Sequence, residues 1–426
     1  MEGEVKNMRR VFLAAFALVL VASCGSVGPV EGGNYKVYEA ASARTGQLVA
    51  VIDSHSRTTD RRLPWGLPSP DGKHFYALNA KALQDIDPRS GAVLRTTPLH
   101  GSFELPPATI GGAPGGLSQN GRWLVLQSFE RANGQTVPPT ASHMLLIDLK
   151  KFEVTDRINL PGYFAFDAVK NDGLGVYVIE YTNAADAHYR VRVFETPTGQ
   201  LGSYTVADKG DPNEPMTGVR LSGVFSPDGQ WLYSVYAREN NSAFVHALNL
   251  TQPWAFCLEL PGSGWSKDAN VFQWSLALTP DGRHLYAANG AMGVVTRIDN
   301  LDGNFPQVAR TANIGSAVAT ARGLVQNVEA KEMGSNGAVV SPDGKTLVTA
   351  GTNGLIWIDT DTLRARNHVL TNWTVWSLAA SPDGAMIYAL NEAGKIAELS
   401  MARATVAATF DTAEGFPMGL LRVEAA

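Results

Sequence analysis

Ser341-Pro342-Asp343-Gly344-Lys345-Thr346-Leu347-Val348 is the stretch on which the fold turns. Its first four residues recur at Ser69–Gly72, Ser226–Gly229 and Ser381–Gly384, and Thr279–Gly282 is a near copy. Ser118–Gly121 and Lys170–Gly173 are degenerate copies. Counted from the Asp or Asn, the seven stand at 71, 120, 172, 228, 281, 343 and 383, an average spacing of 52 residues. A spacing of that order holds one propeller blade of about 40–50 residues plus a loop. The local chemistry suits a hairpin. Proline presets φ at the second turn position, Asp or Asn tolerates the third, and glycine takes the left-handed conformation that ends the turn.

Four and five residues beyond the Asp, both positions favour apolar side chains: Phe75-Tyr76, Leu124-Val125, Val176-Tyr177, Leu232-Tyr233, Leu285-Tyr286, Leu347-Val348 and Ile387-Tyr388. Adjacent apolar residues mean a strand buried on both faces, as between neighbouring blades. Each such strand is followed by a second hairpin, in which an apolar run ends at a polar residue, as in Met144–Asp148 and Leu355–Asp359. These strings resemble the YVTN and WD-type repeats of bacterial β-propellers over residues 35–423. The resemblance implies an all-β fold, a single β-propeller, and says little about activity. Second hairpins number eight, at Asp53, Asp87, Asp148, Glu195, Asn249, Asp299, Asp359 and Ser400. Eight blades are therefore expected, with seven as the alternative. The first has no turn string before it, so Met418–Val423 is expected to supply its innermost strand and close the ring, which removes a free sheet edge.

Composition agrees. Of 426 residues 42 are glycine and only 18% are charged, against typical values of about 7% and about 25%. That excludes disorder, coiled coil and collagen. The net charge of −5, with no basic cluster beyond the first ten residues, argues against a nucleic-acid partner.

The N-terminus gives an address. Arg9-Arg10 precede an apolar run from Val11 to Ala22, short for a membrane span. Val21-Ala22-Ser23-Cys24-Gly25 follows and resembles the lipobox of bacterial lipoproteins. The resemblance implies a signal peptide over 1–23, acylation of Cys24, a flexible tether over 24–34 and a propeller over 35–426. The expected location is extracytoplasmic, in the cell envelope, with the membrane held through the N-terminal lipid. Arg9-Arg10-Val11-Phe12-Leu13 also resembles the core of a twin-arginine export signal, so the route stays open. With Cys24 acylated, Cys257 is the only thiol, and its apolar surroundings suggest a small buried hydrophobe.

Recognisable catalytic strings are absent: no G-x-S-x-G, no H-E-x-x-H, no C-x-x-C-H, no P-loop. His74 and His284 share one repeat position, which suits a strand surface better than a metal site. Asp299 with Asp302, and Asp359 with Asp361, lack the full spacing of a calcium loop. No catalytic residue, metal ligand or cofactor is assigned. The long irregular segments are Ser128–Ser142, Ala207–Gly218 and Phe305–Ser335, with a short helix possible over 317–329.

The innermost strand of each blade ends at its turn string, so residues six to eight places before the Asp belong at the other end, near the mouth of the central channel. Gly337, Ser222, Ser275 and Ser377 are small there. Trp65, Phe166, Arg220, Gln273, Trp274, Asn336 and Trp376 are larger and form the candidate ligand-binding set, suited to an anionic or sugar-like ligand. The tryptophans could equally wedge between blades. The expected role is an envelope binding or assembly module for a small molecule or a protein. Propeller enzymes of lactonase-like or quinone-dehydrogenase-like type, and a structural cell-wall protein, are the rivals.

Overall fold

A computed structural model describes residues 33–426, apart from 80, 133–134, 183–187, 207–214, 239–241, 262–271, 300, 302–304, 315–336, 352–353 and 413. The signal-peptide, Cys24 and tether expectations lie outside them, except for the last tether residues.

The turn string builds each hairpin with more than its backbone. Ser341 Oγ donates to Asp343 Oδ1 at 2.6 Å and accepts the Thr346 N–H at 3.0 Å, while Asp343 Oδ1 also accepts the Lys345 N–H at 3.1 Å. The same three bonds recur at Ser69-Asp71, Ser118-Asn120, Thr279-Asp281 and Ser381-Asp383. Gly344 takes φ 71°, and its counterparts match it closely, in the left-handed region open to glycine.

These hairpins join the two innermost strands of blades 2 to 8, and eight antiparallel blades stand in a ring. Blade 2 runs from Gly66–Pro68 to Val93–Pro98, blade 3 from Trp123–Gln127 to Glu153–Pro161, and blade 4 from Phe164–Val169 to Gln200–Leu201. Blades 5, 6, 7 and 8 begin at Val219–Phe225, Ser275–Leu278, Ala338–Val340 and Val375–Ala380. In blade 3 a bridge between Leu117 and Leu124 takes the place of the innermost strand. Blade 1 is shared by the two ends of the domain. Tyr35–Ala43, Gly46–Asp53 and Thr58–Pro64 supply three strands, and Phe416–Ala425 pairs with Tyr35–Ala43 as the innermost. Eight blades and closure by the C-terminal strand are thus what the repeat spacing implied.

The core lies between blades rather than inside one mass. One cluster joins Tyr76 and Leu83 of blade 2 to Leu124 and Leu145 of blade 3, and the next joins Val125 and Met144 to Val176 and Val178 of blade 4. The paired apolar positions after every turn string are all 4% exposed or less, because each such strand faces a neighbour on both sides.

Local expectations changed in the loops. Gln307–Asn313, placed in an irregular segment, is the outer strand of blade 6 and pairs with Val294–Asp299. Its alternation was masked because the strand faces solvent. Met216–Thr217 pairs with His188 and Tyr189 in blade 4, and Arg131–Ala132 forms a small hairpin with Gln135–Thr136. The possible helix over 317–329 lies outside the described residues.

Candidate binding site at the channel mouth

Small side chains at the mouth ends of the inner strands do more than permit close approach. Ser275 Oγ accepts the Gly337 N–H at 2.9 Å, and Ser377 Oγ accepts the Leu420 N–H at 3.0 Å. Each bond ties one blade to the next. A Cβ at Gly337 would stand 3.1 Å from both Ala350 Cβ and Ser275 Oγ, so the glycine keeps that seam tight.

The larger candidates divide into three groups. Gln273, Trp274 and Trp376 line a cavity of about 30 Å³ together with Ser222, Ser275 and Gly337. That volume suits one or two waters. Trp274 is 2% exposed and packs in the core between blades 5 and 6. Trp376 stands edge-on to Phe416 with ring centroids 5.9 Å apart. Trp65 lines neither cavity described here and packs against the cores on both sides of blade 2. Asn336 lies outside the described residues.

Phe166 and Arg220 meet around a larger cavity of about 300 Å³ between blades 4 and 5. Phe166 is fixed by its N–H, which donates to Gln127 Oε1 at 2.9 Å, while Gln127 Nε2 donates to the Phe164 carbonyl. Arg220 is not a free cation. Its Nη1 donates to Asp167 Oδ1 at 2.8 Å, and its Nη2 donates to the Ala108 carbonyl at 3.1 Å. Asp167 is buried, so removing Arg220 would leave a buried carboxylate without its partner and destabilise the fold. Arg220 therefore lines the cavity while its guanidinium is already paired within the fold.

The roof was not anticipated. Residues 104–117, between the outer strand of blade 2 and blade 3, form a strap folded on itself by the Pro107–Pro114 bridge. The Ile110 N–H donates to the Leu221 carbonyl of blade 5 at 2.9 Å, and a Cβ at Gly112 would lie 3.0 Å from Met418 Cε of blade 1. Blades 1 and 5 are opposite in a ring of eight, so the strap crosses the mouth. The Pro- and Gly-rich run from Leu105 to Gly116 was the available signal.

Three tyrosines complete the wall. Tyr181, Tyr189 and Tyr236 line the cavity, with Tyr181–Tyr189 and Tyr189–Tyr236 centroids 6.5 and 5.7 Å apart. Burial pushes the Tyr181 phenol up to about 12 and those of Tyr189 and Tyr236 well above the ordinary tyrosine range. All three are neutral hydroxyls at physiological pH. They read in sequence as ordinary strand aromatics; the register of blade 4 pairs Tyr181 with Tyr189, and the packing of blade 5 adds Tyr236.

Elsewhere, His74 Nδ1 lies 2.9 Å from Asp85 Oδ1 and His284 Nδ1 lies 2.7 Å from Asp299 Oδ1, two equivalent pairs on strand surfaces. Cys257 is half-buried, with Sγ 3.7 Å from His246 Nδ1.

No protein-family description and no curated protein sequence matches the chain. Solved structures do. Apo AztD from Citrobacter koseri aligns at TM-score 0.52 and 13% identity, covering 92% of this chain and 98% of that one. Dihydro-heme d1 dehydrogenase NirN in complex with DHE aligns at TM-score 0.51 and 14% identity, covering 91% and 73%. Hydrazine synthase of Kuenenia stuttgartiensis aligns at TM-score 0.41 and 16% identity, covering 74% and 89%. At such identities the first two share the propeller fold with this chain, and nothing more follows from them.

Proposed function

We propose that this chain is an exported, lipid-anchored propeller lipoprotein of the YVTN type that holds a small ligand at the mouth of its ring. Cys24 is the acylated residue in this reading, 24–34 the tether, and the propeller the working domain in the cell envelope. One observation carries the binding role. A cavity of about 300 Å³ lies at the mouth, walled by side chains of two blades and roofed by a strap that crosses the ring. Ligand sites are commonly mostly apolar concavities with a few fixed polar groups, starting at about 300 Å³.

Anchoring and binding are tested separately. Cys24→Ala should leave the propeller folded and release it from the membrane fraction; retention through high-salt and carbonate washing would refute the lipoprotein reading. For binding, the protein purified from membranes is examined by native mass spectrometry. A small molecule should accompany it and be lost in Ala165→Leu, which fills the cavity wall. An unchanged bound mass in that variant, or none in the parent, would count against the site.

A further inference from the structure

We propose that the turn-string end of the propeller rests on the lipid surface, so that the channel mouth and its strap open away from the membrane. The inference rests on the lipid anchor proposed above and adds the face by which the anchored domain docks.

The chain enters the propeller at the turn-string end. Tyr35–Ala43 runs from there to the mouth, because Tyr35 pairs with Ala425 and Ser42 with Phe416, the mouth end of the innermost strand. Tyr35 is fixed on that face. Its N–H donates to Ser54 Oγ at 2.9 Å, and its hydroxyl donates at 2.7 Å to Asp383 Oδ2 in the turn string of blade 8. Just before it, the Asn34 carbonyl accepts the Ala426 N–H at 3.0 Å.

Reach then limits the orientation. The proposed tether, residues 24–34, spans at most about 40 Å at full extension. To hold the mouth against the membrane it would have to pass the two outer strands of blade 1, roughly 10 Å, and then follow the height of the blade. Tyr35–Ala43 alone, nine residues long, is about 30 Å high. That path consumes the whole tether drawn taut. With the turn-string end on the membrane no detour is needed.

The same end carries most of the exposed apolar side chains. Val93 and Leu94 of blade 2, Leu174 of blade 4, Phe305 and Val308 of blade 6 and Val406 of blade 8 are all exposed beside its turns. Among the described residues the mouth end exposes Val219 and Phe416. Single exposed apolar residues are ordinary. These stand on alternate blades right round the ring, which lets them meet one flat surface together. Phe305, 63% exposed, has its ring centroid 6.1 Å from that of Trp254 and 4.9 Å from that of Phe256. Such aromatic groups suit the boundary between headgroups and acyl chains. Lys73 and Arg283 stand 4.0 and 3.9 Å from the turn aspartates Asp71 and Asp281, so apolar contact rather than a basic patch is the attraction. Weak contacts suffice, because a tether makes every further contact intramolecular.

The test uses the full-length protein, purified from membranes and returned to phosphatidylcholine vesicles that carry a nitroxide on the lipid headgroup. Flotation of the vesicles first shows whether the protein is anchored. In a Cys257→Ser background, a fluorophore is attached at Leu174→Cys or at Val219→Cys, both exposed positions. The probe at 174 should be quenched about twofold or more, and the probe at 219 should keep its full emission. Adding Phe305→Ser and Val406→Ser should restore much of the emission at 174 while the protein still floats with the vesicles. Equal or stronger quenching at 219 would overturn the orientation. Floating protein with neither probe quenched, or quenching at 174 unchanged in the Ser variant, would overturn docking and leave the anchor standing. Protein that does not float would overturn the anchor and this inference with it.

Discussion

Trp376 is 5% exposed, and its indole N–H is buried without a hydrogen-bond partner among the described residues. Its position at the mouth made it a candidate for ligand contact. Its surroundings, a water-sized cavity and an edge-on Phe416, give it the work of a wedge. Trp376→Ala should cost about 3–5 kcal/mol in urea unfolding, whereas Trp376→Phe loses far less and also removes the unpaired N–H. The turn aspartates make a second residue-scale case. Hydrogen bonds from Ser or Thr hydroxyls, the largest cause, hold Asp71, Asp281, Asp343 and Asp383 below the usual 3.8. A carboxylate with a depressed folded pKa stabilises fully above its unfolded value and loses that contribution as pH falls through the folded one. Melting temperature should therefore drop as pH falls below 3.8, and Asn at all four positions should flatten the drop. Asn120 already shows the turn closing with an amide in that place.

At the scale of elements, the C-terminal strand decides whether the ring is closed. Phe416–Ala425 pairs along the length of Tyr35–Ala43, and Tyr38 Oη donates to Glu424 Oε1 at 2.5 Å. Arg422 reaches blade 2, where its Nη1 donates to the Ser69 and Pro70 carbonyls at 2.8 Å. Deleting 415–426 removes the innermost strand of blade 1, leaves the edge of Tyr35–Ala43 unpaired and takes away packing against blades 8 and 2. The truncated protein should melt at least about 5 °C lower, several kcal/mol on the scale of a large domain. A melting curve within a degree of the parent's would show that blades 8 and 2 stand without it. The pairing was legible in sequence because Met418–Val423 is an apolar strand left over after the last complete blade. The strap was not, because the spacing from 71 to 120 is ordinary and its length is hidden inside it.

On the scale of the whole molecule, the seam carries a pH dependence. Glu39 lies in the first strand, fully buried beside the C-terminal strand, where Thr412 Oγ1 donates to its Oε1 at 3.2 Å. Burial pushes its carboxyl up to about 8, and the nearby Glu414 adds to this. The folded chain thus holds a proton that the unfolded chain has released above 4.5. Glu39 should make stability fall as pH rises from 4.5 to about 8, and Glu39→Gln should reduce that slope in a melting series. With the acid loss from the turns, the parent should be most stable in the interval between about 4 and 5, which the same series reads directly.

What the chain by itself determined is the periodic part. Turn chemistry is local, spanning four to six residues, so Ser-Pro-Asp-Gly with two apolar positions after it specifies a hairpin, its burial and, by repetition, the number of blades. The residual strand at the C-terminus then specifies closure. The site is a different kind of object. Arg220 met Asp167, the strap met Leu221, and Tyr236 met Tyr189 across distances of tens of residues. Only the packing of blade 4 on blade 5 decided that a cation at the mouth would be neutralised, and that Tyr236 would join the Tyr181–Tyr189 pair of blade 4. Nothing in their spacing encodes it, because contact between blades depends on which faces the closed ring presses together.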